Sequence, residues 1–195
     1  MKVSAVVLAA GSSSRMGANK LLLKLGGKTV LEHILDGLVG YETVVVTGHS
    51  PEEINGIVTR YGVKTVYNPD YEKGMTTSFQ TGLRAIDSDA VFMVLGDTFG
   101  FRETLLKRME EEMRHHPEAL IVSPMYKGRR GHPVLVRRPL FKDFLDLGSG
   151  DTMKDVVDRH EKEHTYVEGD VWTVTDMDTP EDYETIKKLW EEARG

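Results

Sequence analysis

One short stretch of this chain gathers small residues, hydroxyls and two cations. Leu8-Ala9-Ala10-Gly11-Ser12-Ser13-Ser14-Arg15-Met16-Gly17-Ala18-Asn19-Lys20 follows the apolar run Val3 to Leu8. Glycines and small side chains let a backbone approach a ligand closely. Backbone N–H groups, hydroxyls and the charges of Arg15 and Lys20, set at a strand end, suit a phosphate. A carboxylate, Asp97, ends a second apolar run, Val91 to Leu95, next to Gly96. In that place it can hold Mg²⁺. Asp176 and Asp178 stand two apart before the last helix. In an extended segment that spacing points both the same way, and either can instead cap the helix that follows. A phosphate cradle with a divalent-cation site is the equipment for attack on a nucleotide phosphate.

Positioning these groups requires strands that end at one edge, and the apolar pattern supplies them. Val3 to Leu8, Glu42 to Thr47, Val63 to Tyr67, Ala90 to Leu95 and Ala119 to Ser123 read as buried strands. Between them, Thr29 to Val39, Ser50 to about Tyr61, Gly74 to Ile86 and Phe101 to His115 carry helical spacing. Ser50-Pro51 reads as an N-cap followed by a helix-starting proline. Alternating strands and helices with short connections predict an α/β fold: three α/β/α layers, Rossmann-like, with a mostly parallel sheet. Such sheets bind ligands at the carboxyl ends of their strands. The second half is less regular. A strand from Pro133 to Val136, helices over Pro139 to Leu147 and Thr152 to His160, and short strands over Thr165 to Glu168 and Trp172 to Thr175 are expected. A last helix starts at Thr179-Pro180, with Asp182 as its capping carboxylate. Residues 1–195 are expected to form one domain.

Composition narrows the field. The net formal charge of −6 gives no general attraction to nucleic acid or to an anionic membrane. The absence of cysteine removes disulfides, thiolate metal sites and cysteine nucleophiles, and agrees with a cytoplasmic location. No stretch approaches the roughly 18 apolar residues of a membrane span. Three motifs fail in context. Gly26-Gly27-Lys28-Thr29 lacks the earlier glycine of a P-loop, because Leu22 stands there. His160-Glu161-Lys162-Glu163-His164 matches a zinc-protease pattern, but in a wholly polar run. Ser12 to Ser14 lie in a flat loop rather than a nucleophile elbow.

The pattern Leu8-Ala9-Ala10-Gly11-x-Ser13-x-Arg15-Met16-Gly17-x-x-Lys20 resembles the signature of the MobA-like NTP transferases. The likeness continues through Asn68, Gly74-Met75-x-x-Ser78-x-x-x-Gly82, Leu95-Gly96-Asp97, Gly131-His132-Pro133, Gly150-Asp151 and Asp176-x-Asp178-Thr179-Pro180. It is greatest toward the molybdenum cofactor cytidylyltransferases within that family. The resemblance implies that Leu8, Ala9, Ala10, Gly11, Ser12, Ser13, Arg15 and Lys20 hold a triphosphate, with Arg15, Lys20 and Asp97 catalytic. It implies that Asn68 and the segment Gly74 to Gly82, with Ser78 and Gly82 in it, line the base and ribose pocket. It makes Asp97 and Asp178 Mg²⁺ ligands, with Asp176 the less favoured alternative. Ala10, where relatives carry either alanine or glycine, favours CTP, since its methyl would crowd a purine. The first half would bind the nucleotide. The second half would bind a phosphorylated small-molecule acceptor such as molybdopterin, through Arg129, Arg130, His132, Asp151 and Lys154. A molybdoenzyme or its chaperone is the protein partner such a product implies.

The chain departs from the family pattern at Thr98-Phe99-Gly100 after the metal aspartate, and at Met153-Lys154 after Gly150-Asp151. A lysine cannot reproduce a bidentate arginine clamp. A sugar- or alditol-phosphate acceptor therefore stays open, as does a nucleotide-binding accessory protein without turnover.

Overall fold

The computed structural model describes residues 1–12 and 16–193, so Ser13, Ser14 and Arg15 lie outside the described residues. In chain order the elements are β1 (Val3–Ala9), β2 (Lys24–Leu25), β3 (Lys28–Thr29), α1 (Val30–Gly37), β4 (Glu42–Thr47), α2 (Pro51–Arg60), β5 (Lys64–Tyr67), α3 (Met75–Leu83), β6 (Ala90–Leu95) and α4 (Glu103–His115). There follow β7 (Ile121–Tyr126), β8 (Arg129–Arg130), β9 (Val134–Arg137), α5 (Phe141–Leu145), α6 (Met153–Arg159), β10 (His164–Glu168) and α7 (Pro180–Glu192).

Among the described residues the main sheet has eight strands, ordered β10-β7-β9-β6-β1-β4-β5, with β8 paired to β7. All but β9 and β8 run in one direction. From β1 the chain moves outward to β4 and β5, then returns to place β6 on the other side of β1. The strand order reverses there, and a reversal opens a crevice at the strands' carboxyl ends. Register aligns those ends. Leu8 of β1 stands opposite both Val46 of β4 and Leu95 of β6. The loops after Ala9, Thr47 and Leu95 therefore leave the sheet side by side.

Alternation along β1 makes the three layers. Ala5, Val7 and Ala9 face a cluster built from α1, α2, α4 and α7. Val6 and Leu8 face α3, α5 and α6. Gly82 belongs to that second contact: a Cβ there would lie 2.3 Å from Val6 Cγ1. Among the described residues no helix is long and apolar enough to cross a membrane.

Three expectations from sequence are revised. Trp172 to Thr175 is not a strand but part of a 3₁₀ turn, Val171–Val174. The Asp170 carboxylate accepts from the N–H groups of Trp172 (3.0 Å) and Thr173 (3.3 Å), and Thr175 Oγ1 donates to Val171 O. Such local bonds compete with a ladder. The fifth strand runs past Ser123 to Tyr126, because Pro124, though lacking an N–H, accepts from Gly131 N at 2.8 Å. Ser50 does not cap α2 through its side chain; it is left-handed, φ 45°. Gly26 and Gly27, both at positive φ, turn the tight β2–β3 hairpin.

Candidate active site

A cleft of about 620 Å³ lies over the carboxyl ends of β1, β4 and β6. Its lining includes Leu8, Ala9, Ala10, Gly11, Ser12, Lys20, Ser78, Asp97 and Asp178, nine residues expected from sequence. Its size suits a small ligand. The β1 loop is tied to its neighbour by His49 N donating to Ala10 O at 3.1 Å. Gly96 is required by close approach, since a Cβ would stand 2.8 Å from Leu8 O. Asp97 is thereby held against the end of the central strand.

Lys20 opens a 3₁₀ turn, Lys20–Leu22, whose N-cap Asn19 accepts from Leu21 N. Leu21 is buried in the core, so the turn is anchored and the Lys20 stem projects into the cleft. Its ammonium donates to Asp97 Oδ2 at 2.7 Å, to Met177 O at 3.4 Å and to Asp178 Oδ1 at 3.5 Å. Asp178 precedes α7, whose start is fixed by a capping box between Thr179 and Asp182. Buried Met177 anchors the segment from behind.

Asp176 turns elsewhere. Its carboxylate lies 3.9 Å from Arg129. Partial burial, then the charges of Asp97 and Asp178, push its carboxyl above the usual range against the pull of His132 and Arg129. His132 lies within the fields of Asp97 and Asp176, yet burial lowers its imidazole, so the neutral form is favoured. Its Nδ1 is buried without a hydrogen-bond partner among the described residues.

The divalent cation can be tested against these groups. Two carboxylates and a carbonyl surround one point, an all-oxygen set of the kind Mg²⁺ takes. Among the described residues no three His, Asp or Glu side chains close around such a point. Two carboxylates with places left for phosphate oxygens and water are what Mg²⁺ uses at nucleotide sites. The residues fit.

Other expected residues sit outside the cleft wall. Asn68 is buried; its amide donates to Thr77 Oγ1 and Ser78 Oγ, both at 3.0 Å, and its Oδ1 accepts from Asp70 N at 3.0 Å. It shapes the turn that follows β5. Arg130 reaches Glu161 (2.7 Å) and Asp158 (3.6 Å) and covers the Tyr166 ring. Lys154 pairs with Asp158. The Asp151 carboxylate accepts from Gly148 N at 2.8 Å. Of the expected acceptor groups, Arg129 lies against Asp176 and His132 lies within the fields of Asp97 and Asp176. Met75, within the segment expected to line the pocket, does line the cleft; His49, Tyr71 and Glu72 also line it and were missed. Their signal was position: they follow the carboxyl ends of β4 and β5.

The unusual loop after Asp97 has a structural account. Phe99 is buried, with ring centroids 6.2 Å from Trp172 and 6.3 Å from Trp190. Gly100, at φ 81°, would bring a Cβ to 3.1 Å from Trp172. The Phe99-Gly100 departure thus fastens the Asp97 loop to the segment leading toward Asp178. Met153 is likewise a core residue.

A Rossmann-like sheet with a phosphate-type loop and paired carboxylates at its reversal point defines a nucleotide-binding α/β protein. The chain belongs to the MobA-like NTP transferase domain family, which residues 5–165 match. It is similar to the molybdenum cofactor cytidylyltransferase of Escherichia coli (strain K12), at 24% identity over 97% of this chain and 98% of that one. It is also similar to a nicotine blue oxidoreductase of Paenarthrobacter nicotinovorans, at 28% identity over 96% and 95%. Among solved structures it matches a nucleotidyl transferase from Methanothermobacter thermautotroptrophicus, with TM-score 0.82, 25% identity and coverage of 98% and 99%.

Proposed function

We propose that this chain transfers a nucleotidyl group from an NTP, with CTP preferred, to the phosphate of a small-molecule acceptor of the molybdopterin kind, releasing pyrophosphate. The observation that carries this reading is the convergence of Lys20, Asp97 and Asp178 on one point in the cleft at the sheet's reversal. The Escherichia coli relative, similar over nearly its whole length, directs the choice of nucleotide and acceptor.

In this reading the acceptor's phosphate oxygen attacks the α-phosphorus and pyrophosphate leaves. A phosphate nucleophile is already ionised near neutral pH, so no side chain need remove its proton. Asp97 and Asp178 would hold Mg²⁺, which when bound neutralises triphosphate charge. The backbone of Ala10 to Ser12 orients the phosphates, and Lys20 supplies a cation beside them. Neutral His132, near Asp97 and Asp176, and cationic Arg129, against Asp176, would face the acceptor. The reaction belongs in the cytoplasm, where CTP is made.

The test is pyrophosphate release with each of the four NTPs, Mg²⁺ and two acceptors, molybdopterin and a panel of sugar and alditol phosphates. Release with CTP and molybdopterin is expected. Release confined to a sugar or alditol phosphate overturns the acceptor. Tight NTP binding without release, or an oxidation–reduction like that in the name of the Paenarthrobacter relative, overturns the reaction.

A further inference from the structure

The Lys20 ammonium stands where the cation-binding oxygens converge. Asp97 Oδ2 is 2.7 Å away, Met177 O 3.4 Å and Asp178 Oδ1 3.5 Å. Mg²⁺ held by the same carboxylates lies about 2.0–2.1 Å from each oxygen. An ion bound to Asp97 Oδ2 and Asp178 Oδ1 competes with the ammonium for the same lone pairs, and like charges so close repel strongly. The two cations therefore compete for these carboxylates.

The backbone of Lys20 is not free to retreat, because Asn19 caps the turn and Leu21 is buried. The four-carbon stem carries rotatable bonds through which the ammonium can change partners. Beside it, still lining the cleft, are Ala10, Gly11 and Ser12. A triphosphate lying on that loop offers the ammonium a new anionic partner. We infer that Lys20 keeps the divalent cation's seat until a nucleotide triphosphate draws its side chain away, so that metal and nucleotide enter together rather than metal first. This inference rests on the nucleotidyltransferase reading. In it Lys20 acts twice, as a placeholder in the resting site and as a phosphate ligand in the loaded one.

The experiment is Mn²⁺ titration by calorimetry, without nucleotide, of wild type and of the Lys20→Met, Lys20→Gln, Arg129→Met and Asp97→Asn variants, each checked for folding by circular dichroism. Both Lys20 variants should bind Mn²⁺ about tenfold more tightly than wild type or better, although they lose turnover. Arg129→Met, which removes a neighbouring cation from outside the seat, should gain less than about threefold. Asp97→Asn should bind more weakly than wild type. Unchanged or weaker Mn²⁺ binding in both Lys20 variants overturns the exchange, as does an equal gain in Arg129→Met, which would mark a general field effect. Undiminished Mn²⁺ binding in Asp97→Asn overturns the carboxylate site itself, and with it the metal part of the proposed function. Loss in Asp97→Asn without a gain in the Lys20 variants leaves that function standing and removes only the exchange.

Discussion

Lys20 and Asp97 are 77 positions apart and meet at 2.7 Å. Arg129 and Arg130 are adjacent and reach different partners: Asp176 for the first, Glu161 and Asp158 for the second. The contrast separates two ways of building a site. In the first half, parallel register sets β1 and β6 level, so residues just past their ends are neighbours whatever their distance in sequence. In the second half, the β8 strand alternates its side chains to opposite faces. There, nearby carboxylates decide which cation is available to a ligand. A motif of like residues is therefore a good guide to which side chains meet in the first half and a poor one in the second.

The largest effect that tests this contrast falls on Asp97. It lies at the mouth of the cleft rather than in the core, with 18% of its side chain exposed. Asp97→Asn keeps the shape and removes the charge. Pyrophosphate release should fall by about a hundredfold or more, with an unchanged thermal transition. Near-wild-type release would remove Asp97 from the site and dissolve the difference between the halves.

The next effect lies in the second half and concerns stability. His164 is buried, its Nε2 2.9 Å from Ser123 Oγ, and burial with the nearby Arg130 charge lowers its imidazole to about 4. In the unfolded chain a histidine titrates near 6.5. Between those values the unfolded chain binds the proton and the folded one does not, so stability falls as pH falls through that window. The loss between about pH 7 and about pH 5 amounts to roughly 2 kcal/mol. Urea titrations at the two pH values should show this excess loss in wild type, and His164→Gln should be less stable but flatter with pH. Equal pH dependence in the two proteins would show that the buried ring does not titrate as described.

The two arginines give a sharper comparison at smaller magnitude. Arg129→Ala should raise the acceptor KM by about tenfold and leave the NTP KM nearly unchanged. Arg130→Ala should leave the acceptor KM nearly unchanged and cost about 1 kcal/mol of stability, through its ion pairs and its contact with Tyr166. Steady-state kinetics and thermal melts on both variants decide it. The reverse assignment would mean that the β8 side chains exchange roles when the acceptor arrives.

This comparison also explains what sequence revealed. The apolar runs of β4 and β6 were found to the residue, because strands buried on both faces carry unbroken hydrophobic patterns. The start of α7 was legible because Thr179, Pro180 and Asp182 each have a distinct capping role. Lys20, Asp97 and Asp178 were legible through the family pattern and are brought together. The 3₁₀ turn at Trp172 was not, since it depends on the Asp170 side chain bonding locally. Nor was the different allegiance of Arg129 and Arg130, which depends on Glu161 and Asp158 in other elements. Asn68 reads as a pocket residue, yet its amide is satisfied by Thr77, Ser78 and Asp70.

The smallest expected effect returns to the first half, where a single methyl is at issue. Ala10 is buried at the edge of the cleft, 4% exposed. Gly48 stands against it so closely that a Cβ there would lie 2.9 Å from Ala10 Cβ and 2.5 Å from Tyr71 Cβ. Ala10 and Tyr71 thus both crowd Gly48, and Ala10 lines the cleft beside Tyr71. Ala10→Gly should lower the preference for CTP over GTP by about threefold to tenfold, the worth of one small group in a shaped pocket. The loss should appear as tighter GTP binding rather than weaker CTP binding, because room is added and no contact to a smaller base is removed. Competitive binding of the two nucleotides measures it directly. If CTP binding weakens instead, the methyl acts by holding Tyr71 in place. If neither changes, base choice is made elsewhere on the wall, with His49 and Glu72 the cleft residues to test next.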